Sequence, residues 1–136
     1  MNKECASTLF VSEETLLAAA RAVAPRAYAP YSHFTVGAAL LGEDGQIYTG
    51  CNVENASYGL TMCAERNAVF HAVASGCRAF RALAIAAPRP VPPCGACLQV
   101  LAAFCPSAMP IVLGALDSQD SKRLTLADLF PSPFTL

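Results

Sequence analysis

Residues 81–104 read RALAIAAPRPVPPCGACLQVLAAF and contain a strand, a loop and a helix in succession. The strand predicted at 81–87 contains an apolar run, 82–87, that has the length and composition of a buried strand. Residues 88–93 hold four prolines and form a loop, because proline continues neither a helix nor a central strand. The motif at 94–97 then begins a helix that we expect to extend to about Phe104. A buried strand followed by a helix predicts a sheet with helices packed on it.

The predicted elements elsewhere in the chain extend this pattern. The first is a helix that Ser12 caps and that ends before Pro25. Strands at 34–41 and 46–52 follow, joined by a turn at 42–45, and then a helix at 63–73 that Gly76 caps. After the strand, loop and helix of 81–104 come a strand at 111–115 and a short helix at 126–129 that Thr125 caps. The resulting order α-β-β-α-β-α-β-α predicts an α/β fold, a three-layer α-β-α sandwich with a mixed central sheet. The length predicts a single domain, 1–136.

The composition excludes several classes of protein. Charged residues make up 14% of the chain, whereas an average soluble domain has about 25%. A net charge of −1 argues against a polynucleotide-binding protein. No apolar run approaches the roughly 18 residues that a membrane-spanning helix needs. We therefore expect neither nucleic acid nor membrane among the partners.

The cysteines and the N-terminus bear on the compartment. Residues 1–5, MNKEC, do not have the pattern of a signal peptide. Seven cysteines are an odd number, which excludes a complete disulfide framework. We therefore expect a cytoplasmic protein whose thiols are reduced. In that setting, clustered cysteines indicate metal ligands or catalytic groups.

Three cysteines stand at the predicted starts of two helices. Cys63 begins one helix, and Cys94 and Cys97 begin the other. The intervening chain is long enough for a helix, a strand and a loop, so the two helix N-termini can face each other. Helix N-termini stabilise thiolates. Three thiolates and one open position are typical of a catalytic zinc site rather than a structural one.

Glu65 follows Cys63 by two residues in a chain that has few charges. A carboxylate beside a zinc-bound water can take the proton of that water and return it to a substrate. The combined pattern, Cys-x-Glu followed by Pro-Cys-x-x-Cys, is matched here to the known signature of zinc-dependent nucleobase deaminases.

Over nearly its whole length the sequence resembles the cytidine deaminases of the small, homotetrameric type with three cysteine ligands. The resemblance rests on the cysteine motifs, on YSHFTVGAAL at 31–40 and on NVENASYG at 52–59. It implies a hydrolase of pyrimidine salvage that converts cytidine and 2′-deoxycytidine to the corresponding uridines and releases ammonia. It also implies one zinc ion per chain, held by Cys63, Cys94 and Cys97, with Glu65 as the proton shuttle of a zinc-activated water.

The resemblance also implies how the nucleoside is bound. Asn52 and Glu54 would hydrogen-bond the ribose hydroxyls, and Phe34 would pack on the pyrimidine. The main chain at Ala64 and the Glu65 carboxylate would contact the base. A buried site built for the sugar should reject free cytosine, because its polar groups would be left unpaired.

The remaining implications concern other subunits. The loop that carries Tyr58 would lie near a subunit interface, and Phe134 would reach into a neighbouring subunit's site. A protomer that buries large faces against copies of itself would also explain the low charge, since obligate interfaces are apolar. We therefore expect a homotetramer with shared active sites, built on two-fold axes.

Two positions beside the cysteines bear on the charge of the site. Arg66 matches the family, whereas Leu98 stands where members usually have arginine after the last cysteine. Three thiolates on a dication leave a formal charge of −1. We expect the Arg66 guanidinium to withdraw part of that charge and to keep the zinc Lewis-acidic.

Other interpretations of the cysteines remain open at this point. The three could be buried apolar thiols, could join Cys51 in a closed structural zinc site, or could include a redox-active pair at Cys94 and Cys97. The chain could also deaminate a modified cytosine nucleoside or be a non-catalytic zinc-binding interaction domain. Cys5, Cys77 and Cys105 are interpreted as packing or surface thiols, and His33 and His71 as structural residues.

Overall fold

The protein is described by a computed structural model, which covers residues 11–136. The elements in chain order are α1 (Glu13–Val23), β1 (Gly37–Gly42), β2 (Ile47–Cys51), α2 (Ala64–Ala74), β3 (Phe80–Ala87), α3 (Gly95–Phe104), β4 (Pro110–Ala115), β5 (Ser121–Thr125) and α4 (Leu126–Leu129). Single 3-10 turns lie at Ala24–Arg26 and Tyr58–Leu60. The N-terminal pentapeptide and Cys5 lie outside the described residues.

The five strands form one mixed sheet in the order β2-β1-β3-β4-β5. β3 and β4 pair in parallel, with Leu83 opposite Ile111. Helix α3 makes the crossover between these two strands, which parallel pairing requires. The other neighbouring pairs are antiparallel, and a short turn is enough to join β1 to β2. The prediction of a mixed sheet is confirmed.

Helices cover both faces of the sheet, so the predicted three-layer architecture is also confirmed. Alternate residues of β3 point to opposite faces, which explains why the strand is continuously apolar over 82–87. Leu83 and Ile85 belong to the larger core cluster, together with residues of α2, α3 and α4. Ala84 and Ala86 belong to the smaller cluster, which α1 covers with Leu16, Leu17 and Ala20.

Most predicted boundaries agree with the structure, with differences at two strands. The strand predicted at 34–41 begins only at Gly37 and ends at Gly42. Strand β5 was not predicted at all. It is an exposed, polar edge strand, and its SKRLT sequence lacks the apolar alternation by which strands are recognised.

The predicted helix ends are confirmed. Cys63 is the N-cap of α2, and Cys94 is the N-cap of α3. Gly76 follows α2 with a φ of 93°, the left-handed conformation that ends many helices. Thr125 caps α4 in a reciprocal pair of hydrogen bonds with Asp128. Among the helices of residues 11–136, none has both the length and the apolar character needed to cross a bilayer.

Candidate active site

Three thiols converge between the N-termini of α2 and α3. The Sγ atoms of Cys63 and Cys94 are 3.8 Å apart, and those of Cys94 and Cys97 are 3.5 Å apart. All three sulfurs lie within 4.8 Å of one another. The two helices bring them together because Cys63 and Cys94 are N-caps and Cys97 lies in the first turn of α3. The prediction that two helix N-termini face each other is confirmed.

Arg66 is one turn along α2 from Cys63 and contacts the thiol cluster. Its Nη2 donates to the Cys63 Sγ at 3.4 Å. Its buried Nε has no hydrogen-bond partner among the described residues. Hydrogen bonds from Cys97 and then from Arg66 lower the pKa of the Cys63 thiol. The contact with Cys63 in turn raises the pKa of the Arg66 guanidinium. The guanidinium therefore favours thiolate at this position.

Glu65 lies beside the thiols and is only 6% exposed. Burial raises the pKa of its carboxyl to about 6. This carboxyl lines a cavity of about 310 Å³, together with Cys63 and Cys94. A buried carboxyl with a raised pKa can both take and give protons near neutral pH. The cavity is therefore equipped for proton transfer next to a cluster of metal-binding sulfurs.

Asn52 lines the same cavity, and its side chain is held by the segment that precedes β1. Its Oδ1 accepts from the Val36 N–H at 2.9 Å, and its Nδ2 donates to the Phe34 carbonyl at 2.8 Å. A primary amide has two N–H donors. One N–H of Asn52 is therefore available to a ligand.

Glu54 lies where this cavity adjoins a second one of about 380 Å³. Its Oε1 accepts from the main-chain N–H groups of Tyr31, at 2.9 Å, and Ser32, at 3.1 Å. Its Oε2 accepts from the Ser32 hydroxyl. The hydrogen bond from this hydroxyl is the main reason that the pKa of Glu54 lies below its usual range. Glu54 is thus a fixed anionic acceptor in the cavity wall.

Phe34 and Ala64, the two residues predicted to contact the base, line the cavity of Glu65. Phe34 is free to do so because it precedes β1 rather than belonging to it. The Arg89 guanidinium lies over its ring, 5.6 Å from the ring centroid. This arrangement is a cation–π contact.

Tyr58 and Phe134 lie outside that cavity. Tyr58 is 76% exposed and lines the second cavity, where its ring packs edge-on against Tyr31. Phe134 is 70% exposed. Its carbonyl accepts from Gln99 Nε2 on α3 at 3.1 Å, so the tail is tied to α3 of its own chain. Within one protomer the structure does not bring Phe134 to the cavity of Glu65.

The other cysteines and the histidines are not part of the thiol cluster. Within residues 11–136, the group that could hold a metal contains Cys63, Cys94 and Cys97 without Cys51, which argues against a closed four-cysteine site. His71 Nδ1 contacts the Thr49 carbonyl at 3.0 Å. Burial raises the pKa of the Cys105 thiol to about 12, as expected for a packing residue.

Three features of the site were missed by the sequence reasoning. The first is the hydroxyl of Ser32, which bonds to Glu54, and the second is the guanidinium of Arg89, which lies over the Phe34 ring. The third is the pair Val91 and Pro92 of the loop at 88–93, both of which line the cavity. Ser32 stands two residues before Phe34 in the YSHFTVGAAL segment at 31–40, and its position in that segment could have marked it as a site residue. Leu98, which stands where the family usually has arginine, is buried in the larger core cluster.

The residues present fit a zinc ion. Zinc prefers thiolate ligands in a tetrahedral arrangement, and catalytic sites leave one position for water or substrate. Three sulfurs converge here beside a cavity. The Arg66 guanidinium donates to one of them through Nη2, and its buried Nε has no hydrogen-bond partner among the described residues. A third thiol and a buried carboxylate are not features of a two-cysteine redox motif.

Comparison with known proteins agrees with this chemistry. Residues 11–113 match the family described as the cytidine and deoxycytidylate deaminase zinc-binding region. A cytidine deaminase from Sporosarcina psychrophila is 52% identical over 124 residues, which is 90% of each chain. A cytidine deaminase from Halalkalibacterium halodurans is 53% identical over 111 residues, which is 80% of this chain and 83% of the relative.

Solved structures show the same similarity. The crystal structure of cytidine deaminase from Burkholderia pseudomallei has a TM-score of 0.86 and 44% identity, and it covers 91% of this chain and 100% of its own. That of cytidine deaminase from Mycobacterium tuberculosis has a TM-score of 0.82 and 41% identity, with 93% and 100% covered. The segment that matches the family contains all three cysteines and Glu65. With this match and relatives more than 50% identical over most of its length, the chain belongs to the zinc-binding cytidine and deoxycytidylate deaminase family.

Proposed function

We propose that this protein is a zinc-dependent hydrolase that deaminates cytidine and 2′-deoxycytidine. The reaction consumes one water and releases one ammonia, and the exocyclic C4–N bond is replaced by a C4–O bond. The observation that carries the proposal is the position of Glu65, a buried carboxyl in the same cavity as the converging thiols. The relatives reported above are named cytidine deaminases, which supports this substrate.

Glu65 is the proton carrier in the proposed mechanism. It takes a proton from the attacking water and delivers that proton to N3 of the pyrimidine, while the oxygen adds to C4. It then carries the second proton to the departing amine, so that ammonia leaves and uridine remains. A pKa of about 6 suits a group that must both accept and donate near neutral pH.

Cys63, Cys94 and Cys97 are the proposed ligands of one zinc ion per chain. When bound, zinc supplies a Lewis acid that lowers the pKa of a water toward neutrality and stabilises negative charge on oxygen. Arg66 is the proposed charge-tuning residue, because its guanidinium donates to the Cys63 sulfur. A guanidinium in this position draws electron density from the thiolates.

The nucleoside would be held by groups from three segments. Phe34 would pack on the base, and the Ala64 main chain would contact it. Asn52 and Glu54 would bind the ribose hydroxyls, because one amide N–H and one lone pair of the Glu54 carboxylate remain available.

The cavity walls favour a nucleoside over a nucleotide. Among the described residues that line the two cavities there is no lysine or arginine, whereas Glu54 lines both. A phosphate beside this carboxylate would be repelled. The Arg89 guanidinium packs over the Phe34 ring and is not among the residues that line either cavity.

We further propose that the protein is a homotetramer in which neighbouring copies complete each site. Large apolar side chains are exposed around the second cavity, including Tyr31, Tyr58 and, at 68% exposure, Leu60. Phe134 is also exposed and does not reach its own chain's site. A second copy of this chain would cover these side chains and account for the low charge. The Tyr58 loop and the Phe134 tail would then lie against neighbouring subunits.

We also propose a cytoplasmic location. The six cysteines of residues 11–136 are free thiols. Thiolate ligands need reducing conditions, since oxidation to disulfides would remove them from the metal.

The experiment that tests the function measures zinc per chain and follows the absorbance loss of the substrate. The panel contains cytidine, 2′-deoxycytidine, cytosine, cytidine monophosphate and a modified cytosine nucleoside. We expect one zinc per chain and turnover of the two natural nucleosides, with cytosine and the monophosphate at least about a hundredfold slower. Zinc-loaded protein that turns over none of the panel would contradict the proposal.

A further inference from the structure

Ser32 links two walls of the cavity through a single hydroxyl. Its Oγ accepts from the Phe34 N–H at 3.0 Å. The same Oγ contacts Glu54 Oε2. A serine hydroxyl has one proton, and an ionised carboxylate only accepts. The Ser32 proton therefore lies on the bond to Glu54, while the lone pairs of Oγ hold the Phe34 main chain.

The backbone at His33, between Ser32 and Phe34, has an unusual left-handed conformation. His33 has a φ of 58°, and no other non-glycine residue among those described has a positive φ. Its N–H is bonded to the Ala29 carbonyl at 2.9 Å. A left-handed backbone is uncommon for a residue other than glycine, and such a conformation is kept where the surrounding structure holds it. Here the turn allows Ser32 and Phe34 to line the same cavity.

We propose that Ser32 is a positioning residue for nucleoside binding, which joins the sugar-binding carboxylate of Glu54 to the base-packing residue Phe34. This inference rests on the proposed function and deepens it. With both N–H groups on Oε1 and the hydroxyl on Oε2, Glu54 keeps one lone pair directed to the cavity. Without the hydroxyl, Oε2 would be free to rotate toward water, and the Phe34 N–H would lose its acceptor.

The effect should appear in binding rather than in the chemical step. Ser32 makes no described hydrogen bond to Glu65 or to the thiols, so it has no route to the proton transfer. A hydrogen bond to a charged group is a strong one, and its loss weakens binding by about tenfold. A residue that merely supports the fold would lower stability instead and would affect every ligand alike.

The experiment compares Ser32→Ala, Ser32→Thr and the wild type as zinc-loaded proteins. We expect Ser32→Ala to raise KM for cytidine about tenfold, with kcat within threefold of the wild type. The Kd for the product uridine, measured by calorimetry, should rise by a similar factor. Ser32→Thr keeps the hydroxyl and should restore both values to within threefold. Ser107→Ala, an exposed serine between α3 and β4, is the matched control and should change neither.

A double-mutant cycle separates this role from simple support of the loop. In a Glu54→Ala background, Ser32→Ala should raise the uridine Kd by less than threefold, because the bond to Glu54 is already absent and only the hydrogen bond from the Phe34 N–H remains to be lost. Equal effects in both backgrounds would overturn the proposal. So would an unchanged KM in Ser32→Ala, or a failure of Ser32→Thr to restore it while the melting temperature is normal.

The calorimetric measurement keeps this inference distinguishable from the proposed reaction. Wild-type protein that binds uridine but does not turn over cytidine refutes the reaction, and the comparison of Ser32 variants still stands on the Kd values. Wild-type protein that binds no nucleoside refutes both.

Discussion

Gly50 of β2 and Ala64 of α2 approach so closely that no side chain fits between them. A Cβ on Gly50 would lie 2.5 Å from the Ala64 carbonyl oxygen and 2.4 Å from the Ala68 nitrogen. Both of these atoms belong to the backbone and cannot rotate away. The contact seats the first turn of α2 directly on the sheet, and that turn follows Cys63 and carries Glu65 and Arg66.

Replacing Gly50 with alanine should therefore displace the start of α2. We expect the free energy of unfolding to fall by about 1–3 kcal/mol, and zinc per chain to fall as well, because Cys63 moves with the helix. Chemical denaturation and metal analysis measure the two effects. Gly59→Ala is the control, because a Cβ there would meet nothing within 4 Å. Full zinc content and normal stability in Gly50→Ala would show that the contact is adaptable.

Replacing Glu65 with alanine should abolish turnover without removing the metal. The carboxylate is not among the three thiol ligands, so we expect zinc per chain to stay at the wild-type value. The loss of the proton carrier should lower kcat by about 10² to 10⁴-fold or more. Glu43→Ala is a control, since Glu43 forms a surface salt bridge with Arg81 and lines neither cavity. Normal turnover in Glu65→Ala would refute the mechanism.

Replacing Arg66 with alanine should weaken zinc binding. The positively charged guanidinium donates a hydrogen bond to the Cys63 sulfur, so its removal leaves the negative charge of the thiolates uncompensated. Competition with a chromogenic chelator should show a loss of zinc affinity of about 10 to 100-fold. Arg81→Ala removes a surface arginine and should leave the affinity unchanged. If Arg66→Ala kept both its zinc affinity and its turnover, the charge-tuning role would be wrong.

Ending the chain at Pro131 tests the proposed role of Phe134 in a neighbouring site. This truncation removes residues 132–136, and we expect KM for cytidine to rise at least about fivefold, as for the loss of a buried aromatic contact. Ending the chain at Phe134 keeps the aromatic ring and should preserve KM. Sedimentation of both forms shows whether assembly is retained. An unaltered KM in the shorter form would count against the aromatic tail as part of any site.

The Tyr48 hydroxyl bonds to the Asp44 carboxylate at the far end of the β1–β2 hairpin. This bond lowers the pKa of Asp44 and raises that of Tyr48 to about 12. Its stabilising effect should be complete between about pH 5 and 9. It should decrease as the pH rises through about 10 toward the raised tyrosine pKa, and also as it falls below about 3.9 toward the lowered aspartate pKa.

The test compares the free energy of unfolding of Tyr48→Phe and the wild type across this range. We expect the variant to be less stable near neutral pH and the difference to shrink at both extremes. If the difference in the free energy of unfolding did not change with pH, the ionisation of Tyr48 and Asp44 would not control the contribution of this hydrogen bond, and the prediction would be wrong.

Much of the site was predictable because its parts are local in the sequence. Cys63, Cys94 and Cys97 stand at helix starts, and helix starts are marked by caps, prolines and the onset of apolar periodicity. Glu65 follows from its spacing to Cys63. The mixed sheet followed from the order of elements, and the apolar run of β3 indicated a strand buried on both faces.

The rest depends on contacts between segments that are distant along the chain. Strand β5 is polar and exists through its pairing with β4, for which periodicity gives no sign. Phe34 leaves the sheet because Asn52, from another strand end, bonds the main chain around it. The link from Ser32 to Glu54 and the close approach of Gly50 to Ala64 depend on distances that a one-dimensional pattern does not contain.

The linear order of residues thus specified the proposed zinc ligands, the proposed acid–base group and the layers of the fold, since each depends on local spacing and on the alternation of apolar residues. Packing between segments selected which groups share the cavity, how the Glu54 carboxylate is oriented and where the tail lies. The physical reason is that hydrogen bonds and steric contacts act over a few ångströms in space, whatever the separation along the chain.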